Sequence, residues 1–176
     1  MSNATWAAEP SPQGESADEF SISLATYFTA HNGADAVVEA TSVHLLVGVS
    51  GAYSFDAYWA FAGSLRAGVG DFSGTMSAVV HGLVEARYVI DRMTWRPWLA
   101  IGVGALYRSS LPQTGSRPKN LGHKVDATVH AAGGVDYQLS AQWSLGALLR
   151  YNVIVTEPWG RSVGPFDISA QARFHF

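Results

Sequence analysis

Residues 167–176 read D-I-S-A-Q-A-R-F-H-F and end the chain on an aromatic ring. Ile168, Ala170, Ala172, Phe174 and Phe176 alternate with Asp167, Ser169, Gln171, Arg173 and His175. Successive side chains of a β-strand point to opposite sides, so this stretch carries one apolar face and one polar face. A strand of a soluble domain can alternate in the same way. Here the alternation recurs along the whole chain, with aromatic rings near the ends of the apolar faces, which is the pattern of a transmembrane β-barrel.

Composition points the same way. Charged residues make up 14% of the 176, against about 25% in ordinary soluble domains. No uninterrupted apolar stretch approaches the roughly 20 residues that a membrane helix needs. The best candidate, Trp98 to Tyr107 (W-L-A-I-G-V-G-A-L-Y), is about half that length and is interrupted by glycine. A net charge of −3 argues against nucleic acid as a partner. The chain has no cysteine, which excludes disulfides and thiolate chemistry.

Residues 1–18 stand apart. Met1-Ser2-Asn3-Ala4 resembles a cloning remnant, and the stretch to Asp18 carries Pro10, Pro12 and three acids without periodicity. It reads as a flexible tail preceding a single domain over residues 19–176. It holds no basic region followed by an apolar one, so an export signal is expected to have been removed.

Period-two alternation between turn residues predicts eight strands. The first covers Glu19 to Thr29, with Phe20, Ile22, Leu24 and Phe28 on one face. The second, Val38 to Phe55, aligns Val43, Leu45, Val47, Val49 and Tyr53. After Asp56-Ala57 the third, Tyr58 to Gly70, sets Trp59, Phe61, Leu65 and Val69 against Ser64 and Arg66. The fourth sets Val80, Val84, Tyr88 and Ile90 against His81, Glu85 and Arg87. The fifth, Trp95 to Arg108, aligns Pro97, Leu99, Ile101, Val103 and Tyr107. A long loop, Ser109 to His123, leads to the sixth, where Val125, Val129, Val135 and Tyr137 oppose Asp126, Thr128, His130 and Asp136. The seventh sets Trp143, Leu145, Leu149 and Tyr151 against Arg150 and Asn152. The segment Thr156 to Gly164 precedes the last strand.

From Val43 onward in the second strand, and along the other strands, the apolar faces contain no Asp, Glu, Lys or Arg, whereas a soluble, lipocalin-like barrel would show Lys and Glu to water. Connections alternate short and long. Rings gather at both strand ends, most at the short-turn end and Phe28, Tyr107, Tyr151 and Phe166 at the other, as amphipathic rings do at headgroup level. In hydrocarbon an unpaired backbone N–H or C=O costs several kcal/mol, so the first strand must pair with the last. The expected fold is an all-β, eight-stranded, up-and-down antiparallel transmembrane barrel with both termini at the short-turn end.

The chain resembles the small eight-stranded outer-membrane barrels of Gram-negative bacteria, of the OmpA transmembrane-domain, OmpX and OmpW type. The resemblance covers Glu19 to Phe176. It rests on the terminal strand with Phe174 and Phe176, on Arg96 to Tyr107 (R-P-W-L-A-I-G-V-G-A-L-Y) and on Gly133 to Gly146 (G-G-V-D-Y-Q-L-S-A-Q-W-S-L-G). It implies a bacterial outer-membrane location, contact with outer-membrane lipid and lipopolysaccharide, and recognition of the last strand by the barrel-assembly machinery. It does not fix a function, since adhesins, anchors, narrow pores and lipid-modifying enzymes share this architecture.

Inward-facing polar residues are the candidate site. Arg66, Arg87, Arg150 and Arg173 share the lumen with Glu85, Asp126, Asp136, His81, His130 and Gln171. They can form an anion-selective or proton-linked conduit, or a plug of paired charges. Pairing is the expectation, because an unpartnered buried charge is costly. Glu85 is expected to be the one carboxylate deep in the lumen, paired with at least one of Arg66, Arg87 or Arg150. The inward glycines Gly68, Gly102, Gly104, Gly134 and Gly146 are expected to make room for those long side chains.

A lipid A deacylase of this fold is expected to use His-X-Ser with an acid, and no histidine here has serine two places on (His44-Leu45-Leu46, His81-Gly82-Leu83, His130-Ala131-Ala132). Six histidines without ligand spacing give no metal site. No enzymatic activity, cofactor or metal is expected. The third long loop supplies Arg108, Arg117, Lys119 and Lys124 and no acid, suiting it to lipopolysaccharide phosphates, although Pro and Gly also suit an ordinary solvated loop. The last loop offers Trp159 and Arg161 to a ligand or a surface or membrane-complex protein partner. A structural or surface-interaction barrel is the first expectation, a narrow passive channel the second.

Overall fold

The computed structural model describes residues 18–32, 38–72, 75–90, 94–110, 124–155 and 162–176. Eight strands follow in chain order: β1 (Glu19–Asn32), β2 (Val38–Ser54), β3 (Trp59–Phe72), β4 (Thr75–Val89), β5 (Trp95–Ser110), β6 (Lys124–Gln138), β7 (Trp143–Ile154) and β8 (Ser162–His175). Each pairs antiparallel with its neighbours in sequence, and β1 closes the barrel on β8. Phe174 faces Phe20 across that seam, and the Phe176 N–H donates to the Asp18 carbonyl at 3.1 Å. Both ends of the barrel domain therefore lie at the short-turn rim.

Local chemistry sets the turns. The Asp56 carboxylate accepts from the Tyr58 and Trp59 amides at 2.6 and 2.7 Å, and Ser140 Oγ accepts from the Trp143 amide at 3.1 Å. These side-chain acceptors replace ladder partners that the reversing backbone has lost.

Alternation places the two faces. Leu65, Val84, Ile101, Val129 and Leu149 point outward, and Ile101 is 68% exposed. Rings pair along the outer wall near the short turns: Phe55 with Phe61 at 5.3 Å, Trp59 with Tyr88 at 5.0 Å, Trp95 with Tyr137 at 4.8 Å and Trp143 with Phe174 at 5.1 Å. Tyr151 and Phe166 pair at 5.0 Å towards the other end. The Phe28 side chain lies outside the described residues. Apolar surface of this extent is stable only against another apolar phase.

The strands are strongly tilted. Ladder partners run from Phe61 through Ala86, Ile101, Ala131 and Tyr151 to Phe166, and so to Phe28 near the far end of β1. In the other direction Phe61 faces Tyr53, one place past the partner of Glu19 at the start of β1. One circuit of the wall thus carries the ladder most of the way along a strand, the stagger that closure requires. Side chains distant in sequence, and at different distances from their strand ends, consequently share one level of the lumen.

Candidate functional site

The lumen is filled by three tiers of side chains. The first two are electrostatic and continuous. Glu85 on β4 holds Arg150 at 2.8 Å, Arg87 at 3.1 Å and His130 Nε2 at 3.2 Å. Arg150 on β7 also reaches Asp167 on β8 at 3.3 Å, and Asp167 accepts from Arg66 on β3 as well. Towards the short turns, Glu19 on β1 bridges Arg87 at 3.0 Å and Arg173 at 3.2 Å. Arg173 continues to Asp136 on β6 at 2.9 Å, whose other oxygen accepts from Gln171 at 3.3 Å. The result is a chain of alternating charge running Arg66, Asp167, Arg150, Glu85, Arg87, Glu19, Arg173, Asp136. Four guanidiniums face four carboxylates and span six strands. Desolvation would forbid any of these charges alone.

Trp98 anchors the short-turn tier. Its ring lies under Arg87 at 4.6 Å and Arg173 at 5.2 Å, and it packs with Ala100, Ala132 and Leu148. A ring this large needs a gap opposite, and Gly134 supplies it: a Cβ there would overlap the indole. Gly146 does the same for the Asp136 carboxylate.

The third tier is apolar. Ala25, Leu46, Val79, Leu106 and Ile154 form one buried cluster. Along β4, Val79 lies further from the short turns than His81, Glu85 and Arg87; Leu106 stands likewise to Trp98 on β5, and Ile154 to Arg150 on β7. The cluster caps the ion chain on its long-loop side.

Several expectations change. Glu85 is not the one deep carboxylate: Asp167 is fully buried and Asp136 nearly so. The β7–β8 register is the reason: Asp167 is the direct ladder partner of Arg150, and Arg66 on β3 reaches the same carboxylate. Asp126 is buried but stands outside the chain of eight. It holds Arg108 at 2.5 Å and Lys124 at 3.2 Å, its place near the start of β6 putting it at the long-loop rim. Arg108 and Lys124 are therefore strand residues facing each other across β5 and β6 and drawn onto an acid, rather than parts of an acid-free loop. His81 Nε2 lies 3.2 Å from Thr128 Oγ1. Arg117, Lys119, Trp159 and Arg161 lie outside the described residues.

Besides Asp167, two residues of the site, Trp98 and Glu19, were not singled out from the sequence. Trp98 could have been found by parity, because Pro97 and Leu99 had been assigned outward. Glu19, the first residue of β1, shares its parity with Ser21 and Ser23 on the inward face.

Ser144 Oγ lies 3.0 Å from His175 Nε2, and His175 Nδ1 lies 3.7 Å from Glu19. The order is that of a nucleophile, a base and an orienting acid. Ser144 is only 1% exposed, however, and Glu19 is held more closely by two arginines. The row fastens β7 and β8 to β1. Among the described residues, no group of three or more His, Asp or Glu side chains is placed to hold a metal ion.

No protein-family model matches the chain, and no curated relative matches it. Solved structures do. Neisserial surface protein A (NspA) superposes with a TM-score of 0.68 at 17% identity, covering 90% of this chain and 97% of that one. The N-terminal β-barrel domain of Pseudomonas aeruginosa OprF gives 0.63 at 15% identity, covering 93% and 100%. Ail, the attachment invasion locus protein of Yersinia pestis, in complex with the heparin analogue sucrose octasulfate, gives 0.61 at 12% identity, covering 92% and 99%. At these identities the likeness is one of fold: the chain is a closed eight-stranded antiparallel barrel, the fold it shares with these three structures.

Proposed function

We propose that this protein is a bacterial outer-membrane barrel with a structural or surface-interaction role, closed to solute flow. The observation that supports the reading is a lumen crossed by the ion chain and, further from the short turns, by a buried apolar cluster, inside a wall whose outer surface is apolar. An eight-stranded bore is just wide enough for side chains to fill, so both tiers leave little space for a continuous water path.

The surface role belongs to the long-loop end. The Ser109 to His123 segment carries Arg117 and Lys119 in sequence between Arg108 and Lys124, cations suited to the phosphates of lipopolysaccharide. Ail, which shares the barrel fold, has been crystallised with a polyanionic heparin analogue. The last strand, with Phe174 and Phe176, is the segment that the barrel-assembly machinery would read, and the segment before it supplies Trp159 and Arg161 as candidate contacts for a protein partner. No catalytic, cofactor or nucleic-acid role enters this reading.

Planar-bilayer recording on the purified full chain tests closure. No steady current above the lipid baseline is expected. A large, steady conductance would overturn the closed lumen and favour the narrow channel.

A further inference from the structure

We propose that the short-turn mouth of the lumen contains an oxyanion-binding site, built by Arg87, Arg173 and Trp98 and filled in cis by the Glu19 carboxylate. Three observations support it. The guanidiniums of Arg87 and Arg173 are both over nine-tenths buried, stack on the same Trp98 ring and point donors at one carboxylate oxygen, Glu19 Oε2, at 3.0 and 3.2 Å. Their other acids are separate: Glu85 takes Arg87 Nη2, and Asp136 lies 2.9 Å from Arg173 Nη1.

The cradle also has donors to spare. Among the described residues, no acceptor reaches the buried Arg173 Nη2, Arg87 Nε or Trp98 Nε1. A two-oxygen carboxylate from one side leaves them unused, whereas a tetrahedral oxyanion such as phosphate or sulfate offers more acceptors. Arg96, within electrostatic reach of Glu19, adds to the positive field.

Finally, the occupant can leave. Glu19 is the most exposed acid of the ion chain, with its side chain 18% accessible against 0–6% for Glu85, Asp136 and Asp167. It is the first residue of β1, where a strand end frays most easily. Its withdrawal would leave the ion chain with four guanidiniums against three carboxylates, a local excess of one positive charge that a phosphate-type anion compensates. The ligand class is a small oxyanion, either free in solution or as a lipid phosphate, and the site does not depend on whether the lumen conducts.

The test uses the full chain in a neutral detergent, with thermal unfolding followed against added inorganic phosphate, and chloride at matched ionic strength as the reference. Glu19→Ala should unfold several degrees below the parent, and phosphate should restore much of that loss saturably at millimolar concentration while chloride does not. The parent should respond weakly, its own carboxylate competing. Adding Arg173→Met to Glu19→Ala should abolish the phosphate response. Glu19→Gln, which keeps the side-chain shape, serves if the alanine variant fails to fold. A headgroup arm with a soluble short-chain phosphatidic acid separates the sources: an equal response assigns lipid phosphate as a ligand, and a response to inorganic phosphate alone assigns the free anion. An equal response to phosphate and chloride, no response in either Glu19 variant, or a response surviving Arg173→Met would overturn the proposal.

Discussion

The half of the lumen near the short turns and the half near the long loops are closed by opposite chemistry. In the first, four guanidiniums and four carboxylates pair in a line from Arg66 to Asp136. In the second, Leu46, Val79, Leu106 and Ile154 with Ala25 meet as an ordinary core. The difference teaches how each half fails. A line of charges is strong only while complete, because each deletion leaves its neighbours buried with less compensation. An apolar cluster loses little beyond the contacts removed and the cavity left behind.

The largest effect should therefore come from the middle of the line. Arg150 joins Glu85 to Asp167, and Arg150→Met breaks both links at once. A loss of about 3–5 kcal/mol is expected in equilibrium urea unfolding with the barrel in lipid vesicles. A loss under about 1 kcal/mol would mean that water, not arginine, compensates the two acids.

The outer wall offers the complementary case. Val84 is next to Glu85 on β4 yet points outward. Val84→Arg should cost about 2–4 kcal/mol in the same assay, the price of a cation near the bilayer midplane. Little cost in vesicles would place Val84 away from hydrocarbon and return the barrel to water.

Leu106→Ala comes next, at roughly 2–3 kcal/mol, towards the lower end of the usual range because the cluster is small. Neither it nor Arg150→Met should open a steady current in planar bilayers, since one tier still stands in each. The double variant should conduct. Current through Leu106→Ala alone would show that the ion chain does not seal.

What is legible in the sequence is what local pattern alone fixes. Parity alone separates Leu65 from Arg66 and Val84 from Glu85, so the wall and its two faces follow from local sequence. Alternating short and long connections then give strand number and direction. Height in the lumen does not follow locally, because it depends on the accumulated stagger of the whole circuit. That is why Arg66 of β3 could not be set beside Asp167 of β8 from the sequence, whereas Asp167 meets Arg150 through the β7–β8 register alone. The apolar tier was missed for a related reason: Leu46, Val79, Leu106 and Ile154 each read as a lone apolar residue on a polar face until closure brings them together.

The smallest effect belongs to the rim, where the long-loop end of the lumen meets water. Asp126 is fully buried, but of its two partners Arg108 is part-exposed and the Lys124 side chain is 48% accessible. A half-exposed lysine restrains its own flexible stem to make the bond, and water and salt screen what it gains, so such pairs contribute about 0–1 kcal/mol. Lys124→Ala leaves Arg108 at 2.5 Å to hold the acid, so no buried carboxylate is stranded. The expected loss is below about 1 kcal/mol, and it should vanish in 1 M salt, where the Debye length falls to roughly 3 Å. A Lys124→Ala loss as large as that of Arg150→Met, unchanged by salt, would show that the rim acid depends on both cations. Asp126 would then belong energetically with the ion chain below the apolar tier rather than with the water above it.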